Sequence, residues 1–362
     1  MLEAGLWPEL LLASAVPRYP AAMSYDKAFL AVHIMSLPPM PKPHAPAASP
    51  IHFAGRSAAG AVRSINQDSY YVGKLEHGAV LAIVADGMGG HRTGEIASQK
   101  AVETVRQALQ QRYNAPPAAI ARAVQEANLL IYDTAQENPE CRGMGTTLTS
   151  VFIDDQIAII AHVGDSRAYL LRQDKLRQLT QDHSWVADRV RQGILTSEEA
   201  RQHRWRNVIT NALGARTTFR LDLFHLDMRP QDRLLLCSDG ISMLFHEEEL
   251  RTILGSYPPE EAVDVLMARA DERGSPDNIT AIVLALEDVI PKRKNYSLPE
   301  SFYDSPASVN IGETMSGVES IEQSYAMQDA MSKLQRQAWY PYRLWIIGCL
   351  YLLLLFLFFS LR

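Results

Sequence analysis

The run LAIVADGMGGHRTGE, Leu81 to Glu95, joins an apolar stretch to an acid and a cluster of glycines. Leu81–Ala85 reads as a buried strand, and Gly87, Gly89 and Gly90 interrupt it. Gly94 and Glu95 then lead into the helical pattern IASQKAVETVRQALQQ. Strand, glycine-rich turn and helix in that order suggest a phosphate cradle. The turn has no lysine, however, and its first polar side chain is Asp86, which repels phosphate. What that acid does decides the reading of the whole chain.

The 362 residues are 47% hydrophobic and 21% charged, enough to bury a sizeable core in one large domain or two ordinary ones. A formal net charge of −6, without a Lys/Arg cluster, argues against a nucleic-acid partner. Cys141, Cys237 and Cys349 are widely spaced and form neither a disulfide framework nor a zinc pattern, which fits a reducing compartment. Cys237 lies in an apolar run and is expected to be a buried thiol.

The two ends differ from the middle. Residues 1–50 are rich in Pro and Ala without periodicity, and read as a disordered leader or an over-extended gene start. LWPELLLASAV lacks a basic flank and is broken by Pro8 and Glu9, so it makes a poor signal peptide. At the other end, residues 344–361, LWIIGCLYLLLLFLFFSL, carry no charge. As a helix this run reaches roughly 27 Å against a hydrocarbon core of about 30 Å. Trp339, Tyr340, Tyr342 and Trp345 stand where an interfacial aromatic belt would lie. With only Arg362 beyond it, the run is expected to be a single-pass C-terminal membrane anchor. Lys333, Arg336 and Arg343 on the near side favour a cytoplasmic bulk.

Between the ends, residues 51–288 look globular. Helical patterns at about Glu95–Tyr113 and Pro117–Glu137 precede three short β-type runs, TLTSVFI, IAIIAHV and SRAYLLR. Polar turns at Asp154-Asp155 and Gly164-Asp165 suit an antiparallel meander. A polar, helical stretch at about Ser184–Asn211 comes next, then strand patterns in LDLFHLDM and RLLLCSDG. Helices near Glu247–Leu254 and Glu260–Arg273 precede a last strand, NITAIVLAL. Blocks of strands and paired helices predict an α+β fold with antiparallel sheets. Residues 289–343 read as a linker and juxtamembrane segment, the Pro/Ser/Asn-rich part to about 317 being flexible.

Five acids mark strand ends. Asp68 precedes SYYVG, Asp86-Gly87 ends LAIVADG, Asp165 ends IIAHVGD, Asp239-Gly240 ends LLLCSDG, and Asp277 opens DNITAIVLAL. A single Asp-Gly is most simply a hairpin turn. Five gathered carboxylates repel one another unless a cation sits among them, and oxygen ligands without His or Cys suit Mg²⁺ or Mn²⁺. Two such ions can lower the pKa of a bridging water and clamp a phosphoryl group. Arg63, just before Asp68, offers a guanidinium fork for phosphate oxygens.

RSINQD, ADGMGGH, GMGTTL, HVGDSRAYLL, LTQDHS, LLLCSDG and SPDNITAIV together resemble, in order and over about 225 residues, the type-2C metal-dependent Ser/Thr protein phosphatases in their bacterial form. The resemblance implies a central antiparallel β-sandwich flanked by helices on both faces, an α/β/β/α arrangement. It also implies hydrolysis of phosphoserine and phosphothreonine by a hydroxide bridging two Mn²⁺ or Mg²⁺ ions. By position, Asp86 would bridge both ions, Gly87 would offer its carbonyl, Asp68 would serve one ion, and Asp239 and Asp277 the other. Asp165 matches a ligand of a third, weaker ion, Arg63 the phosphate-binding arginine, and residues 182–214 a flap that influences substrate choice. Met88 stands where many eukaryotic members carry a histidine proposed as general acid, and HRWRN departs from the commoner His-Pro-x-Arg-Asn. His91 is open between a structural and a site-supporting role, whereas His162 and His183 read as structural. The expected partners are phosphorylated Ser/Thr proteins, in particular a Ser/Thr kinase or its substrates, and the membrane. The alternatives are a pseudophosphatase scaffold and a phosphatase of one dedicated regulatory phosphoprotein.

Overall fold

The computed structural model describes residues 50–287 except 91, 112, 114 and 115, together with the backbone of 307–311. The elements begin with strands β1 (Ile51–Ala58), β2 (Asp68–Lys74) and β3 (Val80–Met88), then helices α1 (Thr93–Ala108) and α2 (Pro116–Glu137). Strands β4 (Gly145–Thr146), β5 (Leu148–Asp154), β6 (Ile157–Val163), β7 (Arg167–Arg172) and β8 (Lys175–Gln178) follow. Short helices α3 (Trp185–Arg191) and α4 (Ser197–Gln202) precede β9 (Phe219–Asp227) and β10 (Arg233–Cys237). Helices α5 (Asp239–Ser242), α6 (Glu247–Ser256) and α7 (Pro259–Glu272) and strands β11 (Ile279–Leu286) and β12 (Ala307–Ile311) complete the set.

Among the described residues the strands form two sheets, ordered β1-β11-β10-β7-β8 and β12-β9-β6-β5-β3-β2, with β4 joined to β3. Every pairing is antiparallel. The strands read as continuous apolar runs because both faces of each sheet are covered. In β3, Val80, Ala82 and Val84 pack into the layer between the sheets with Leu234, Leu236, Ile282 and Leu284. Leu81, Ile83 and Ala85 point the other way, onto Ala97, Ala101 and Val105 of α1 and Ile120, Val124 and Ile131 of α2. On the far side, Leu235, Cys237, Ala281 and Val283 meet Leu250 and Ile253 of α6 and Val263 and Leu266 of α7. The helices spread their apolar residues three and four apart, so one stripe of each faces a sheet. The four layers are therefore helices, sheet, sheet and helices, as expected, and Cys237 is a fully buried thiol.

Several local expectations are corrected. Helix α1 stops at Ala108, short of Tyr113, where its last turn tightens and Gln110 N–H bonds to the Gln107 carbonyl. The polar stretch 184–211 is two short helices rather than one, because Gly193 takes a positive φ of 70° and ends the first. Neither Asp86-Gly87 nor Asp239-Gly240 is a hairpin turn. The first pair lies inside β3, which runs on to Met88 by pairing Gly87 with Thr146. The second opens α5. Within the stretch read as linker, residues 307–311 pair with β9 at the sheet edge. The run 344–361, residues 1–49 and His91 lie outside the described residues. No helix among the described residues is long and apolar enough to cross a membrane.

Candidate metal centre

The alternation that builds the core also builds the site. Residues 80, 82 and 84 face the other sheet, so Asp86, next in that parity, faces the same gap at its open end. Asp68 is the first residue of β2 and stands directly opposite Asp86 in register. Like charges so placed on neighbouring strands are destabilising unless something binds between them. Asp239 arrives from the second sheet at the end of β10, and Asp277 from the loop before β11. Asp165 comes from the turn between β6 and β7. All five predicted acids thus reach the same end of the gap between sheets.

Their surroundings are those of a cation site left to carboxylates alone. Asp68 is 7% exposed and Asp165 8%, while Asp86, Asp239 and Asp277 are half-buried. One buried oxygen on each of Asp68, Asp165 and Asp239 has no hydrogen-bond partner. Burial, opposed by hydroxyl hydrogen bonds and reinforced by the neighbouring acids, lifts Asp68 to about 7. Burial and the charge of Asp277 lift Asp239 to about 6, although a hydrogen bond with Asp86 works the other way. Asp86 is pushed well above the usual range by burial and then by Asp68, Asp239, Asp165 and Asp277. Asp165 is raised by burial and by Asp239 and Asp182. These are groups that hold protons for want of a stronger cation.

Among the described residues no three His, Cys, Asp or Glu side chains close tightly enough to cage an ion by themselves. Orphaned, buried carboxylate oxygens on Asp68, Asp165 and Asp239 fit a hard ion such as Mg²⁺ or Mn²⁺. Gly87 has a steric duty as well. A Cβ there would lie 2.0 Å from the Gly94 carbonyl and 2.6 Å from the Gln67 carbonyl, so glycine lets the start of α1 press against β3.

Residues outside the predicted set hold the acids in place. Ser238 Oγ and Thr280 Oγ1 each donate to Asp68 Oδ2 at 2.7 Å, which leaves Oδ1 as the orphaned oxygen. Thr147 Oγ1 accepts from the Asp86 N–H at 2.9 Å. Thr146 Oγ1 donates to the Asp86 carbonyl at 2.9 Å. Arg63 donates to Asp277 Oδ2 at 2.9 Å, so the expected phosphate-binding cation already sits at the centre. Asn278 carries that geometry. Its amide donates to the Ala59 and Ile65 carbonyls, and its Oδ1 accepts from Gln67 N–H, pinning the loop that bears Arg63. Ser238 and Asn278 adjoin the Asp239 and Asp277 motifs, which was the available signal. Thr280 lies in the same SPDNITAIV run, but nothing there marked its role.

The flap is rooted beside Asp165. His183 N–H donates to the Gly164 carbonyl at 2.7 Å, while its ring Nδ1 accepts from Gly164 N–H at 3.2 Å and from the Asn211 amide at 2.7 Å. With Nδ1 accepting, Nε2 carries the proton and donates to Asp222 at 3.1 Å. His162 is fully buried beside it, bonded to Thr149 and the Gln181 carbonyl, and burial holds its pKa down to about 4. Both histidines are structural, as expected.

With this geometry established, comparison with known proteins gives one answer. The family model for protein phosphatase 2C matches residues 55–282. The chain is 36% identical over 240 residues to the serine/threonine phosphatase stp of Listeria innocua, covering 65% of this chain and 95% of that one. It is 37% identical over 243 residues to the serine/threonine protein phosphatase PstP of Mycobacterium tuberculosis, covering 66% of this chain and 45% of that one. The crystal structure of the M. tuberculosis PstP/Ppp phosphatase is similar with a TM-score of 0.62 and 36% identity, covering 66% of this chain and 99% of that one. The catalytic domain of PstP in complex with two manganese ions is similar with a TM-score of 0.60 and 34% identity, covering 66% and 99%.

Proposed function

The chain belongs to the protein phosphatase 2C family, and on that premise we infer that it is a metal-dependent hydrolase removing phosphate from phosphoserine and phosphothreonine side chains of proteins. The observation that carries this is the convergence of five acids at the open end of the gap between sheets, with buried oxygens of Asp68, Asp165 and Asp239 unpaired.

We assign Asp86 to both of two Mn²⁺ or Mg²⁺ ions, with the Gly87 carbonyl as a further ligand, Asp68 to one, and Asp239 and Asp277 to the other. Asp165 with Asp239 would take a third, weaker ion. When bound, such ions supply a nucleophilic water at neutral pH and draw off charge from the phosphoryl group. The chain's own residues do the positioning. Ser238 and Thr280 fix the rotamer of Asp68, and the Asn278-pinned loop presents Arg63 at the centre. Arg63, held at the centre by Asp277 Oδ2, would turn its guanidinium fork to phosphate oxygens once that carboxylate served an ion. Met88 has no proton to give, and His162 and His183 are buried and engaged in hydrogen bonds. We assign the leaving-group proton to water in preference to His91.

The experiment is release of phosphate from a phosphothreonine peptide by the full-length chain with Mn²⁺, with chelator, and after Asp239→Asn. Turnover with Mn²⁺ that disappears in both controls is the expected result. A folded, Mn²⁺-binding protein without turnover would overturn the enzyme and leave the scaffold reading.

We further propose that the chain is anchored in a membrane by residues 344–361 with its catalytic domain in the cytoplasm, where it opposes a Ser/Thr kinase. The uncharged C-terminal run and the basic residues before it support this. Sodium-carbonate extraction of membranes tests it, since release into the soluble fraction would remove the anchor.

A further inference from the structure

Beside the metal centre, between the flap and the second sheet, lies a cavity of about 510 Å³ with Asp165 and Asp239 on its wall. This is within the size range of ligand pockets. Its flap side is lined by Val190 and Arg191 of α3, Arg201 of α4, and Arg206, and faces Met243 at the end of α5. The charges on the two walls are unequal. On the core side Arg167 is bound to Asp182 by two donors, at 2.7 and 3.0 Å, so that pair cancels. The carboxylates of Asp165 and Asp239 are those that the ions would neutralise.

On the flap side Arg191 pairs with Asp188 within its own helix. Among the described residues the Arg201 side chain reaches only His246 Nδ1, at 3.4 Å, and no carboxylate. Arg206 has no side-chain hydrogen bond or ion pair among the described residues. Glu247 is the one remaining acid on the lining, against two guanidinium groups whose charge no carboxylate answers. A cationic wall over an apolar floor suits an aliphatic stem ending in a carboxylate.

We propose that this cavity is a specificity subsite that takes an acidic residue of the substrate polypeptide neighbouring the phosphorylated side chain. The proposal rests on the phosphatase reading above. A peptide with its phosphate at the carboxylate centre must leave through the space alongside, and here that space runs along the flap. Arg201 and Arg206 are then the residues by which the flap selects sequence, separate from the acids that perform the chemistry.

The test uses the full-length chain with Mn²⁺ and three phosphothreonine peptides that differ only in the residues flanking the phosphothreonine, Glu, Gln or Lys. The expected order of kcat/KM is Glu over Gln over Lys, with steps of about two- to fivefold, as partly exposed charge pairs provide. The ratio should shrink as salt is raised. In Arg201→Glu/Arg206→Glu the order should reverse. These residues stand on the exposed flap, and near-native melting of the variant checks that it is folded. Equal kcat/KM for the three peptides, or a Glu preference that survives the double charge reversal, would overturn the subsite while leaving the phosphatase reading intact. Failure to hydrolyse any of the three would instead overturn that reading, and the subsite with it.

Discussion

Ser238 and Asp68, 170 positions apart in the chain, are joined by a buried hydrogen bond of 2.7 Å that aims one carboxylate oxygen into the metal centre. Thr280 repeats the contact from β11 at the same distance, so Asp68 Oδ2 is held from two sides. Outer hydrogen bonds of this kind typically govern metal affinity by about 10–100-fold. Ser238→Ala should therefore raise the dissociation constant for Mn²⁺ by about tenfold, read by calorimetric titration. Thr280→Val should act in the same direction. Unchanged affinity in both would show that the ions hold Asp68 without help.

The pH dependence of stability should invert with metal. Without ions, Asp68 is raised to about 7 and Asp239 to about 6, against an ordinary 3.8 in the unfolded chain. Between those limits the folded state binds more protons than the unfolded one. The metal-free protein is thus most secure near pH 4 as far as these acids go, and loses that contribution as pH rises through 6 to 7. Mn²⁺ replaces the protons, so the rise in Tm on adding it should be larger at about pH 8 than at about pH 5. A gain independent of pH would contradict the assigned ligands.

Activity and stability should trade against each other at Asp86. It carries the repulsion of four neighbouring acids. Asp86→Asn replaces a carboxyl that must there hold either a proton or an opposed charge, and in the metal-free protein Tm should rise by a few degrees, equivalent to about 1 kcal/mol or less. Phosphatase turnover in the same variant should fall by about a thousandfold or more, since a ligand of both ions is lost. A variant that is destabilised without metal would place Asp86 in the scaffold instead.

The flap root gives a separate readout. His183→Ala removes one partner of buried Asp222, which keeps Arg220, and the acceptor for Gly164 N–H and Asn211. The expected cost is about 1–3 kcal/mol, as for leaving buried hydrogen-bonding groups unpaired. Protease cleavage within 182–214 should quicken more than global unfolding does. His162 sets an acid limit. Its pKa is held down to about 4, while the unfolded chain takes up the proton near 6.5. Its contribution is full above about 6.5 and is lost as pH falls toward 4, a window that His162→Gln should narrow in urea titrations across pH.

Much of this was legible in the sequence because it is written locally. Five carboxylates at strand ends, three of them directly after an apolar run, need no structure to suggest hard-cation chemistry. The apolar runs themselves located β3, β6, β10 and β11, and stripes of residues three and four apart located α1, α2, α6 and α7. Less visible were elements whose stability is borrowed. Strand β1 carries exposed and half-buried residues in its sequence and exists through its pairing with β11. The two residues of β4 exist because β3 continues past Asp86.

The sequence by itself determined which groups the protein has for chemistry: the acids, Arg63, and the glycines that allow close backbone approach. Only the tertiary structure decided that Asp68 stands opposite Asp86, that Ser238 and Thr280 clamp the same oxygen, and that the flap is tied to Gly164 through His183. The reason is that sheet register and hydrogen-bond partnership across some 212 positions are set by nonlocal pairing of strands. A slip of one residue in β2 would have turned Asp68 to the other face of the sheet without altering a single motif.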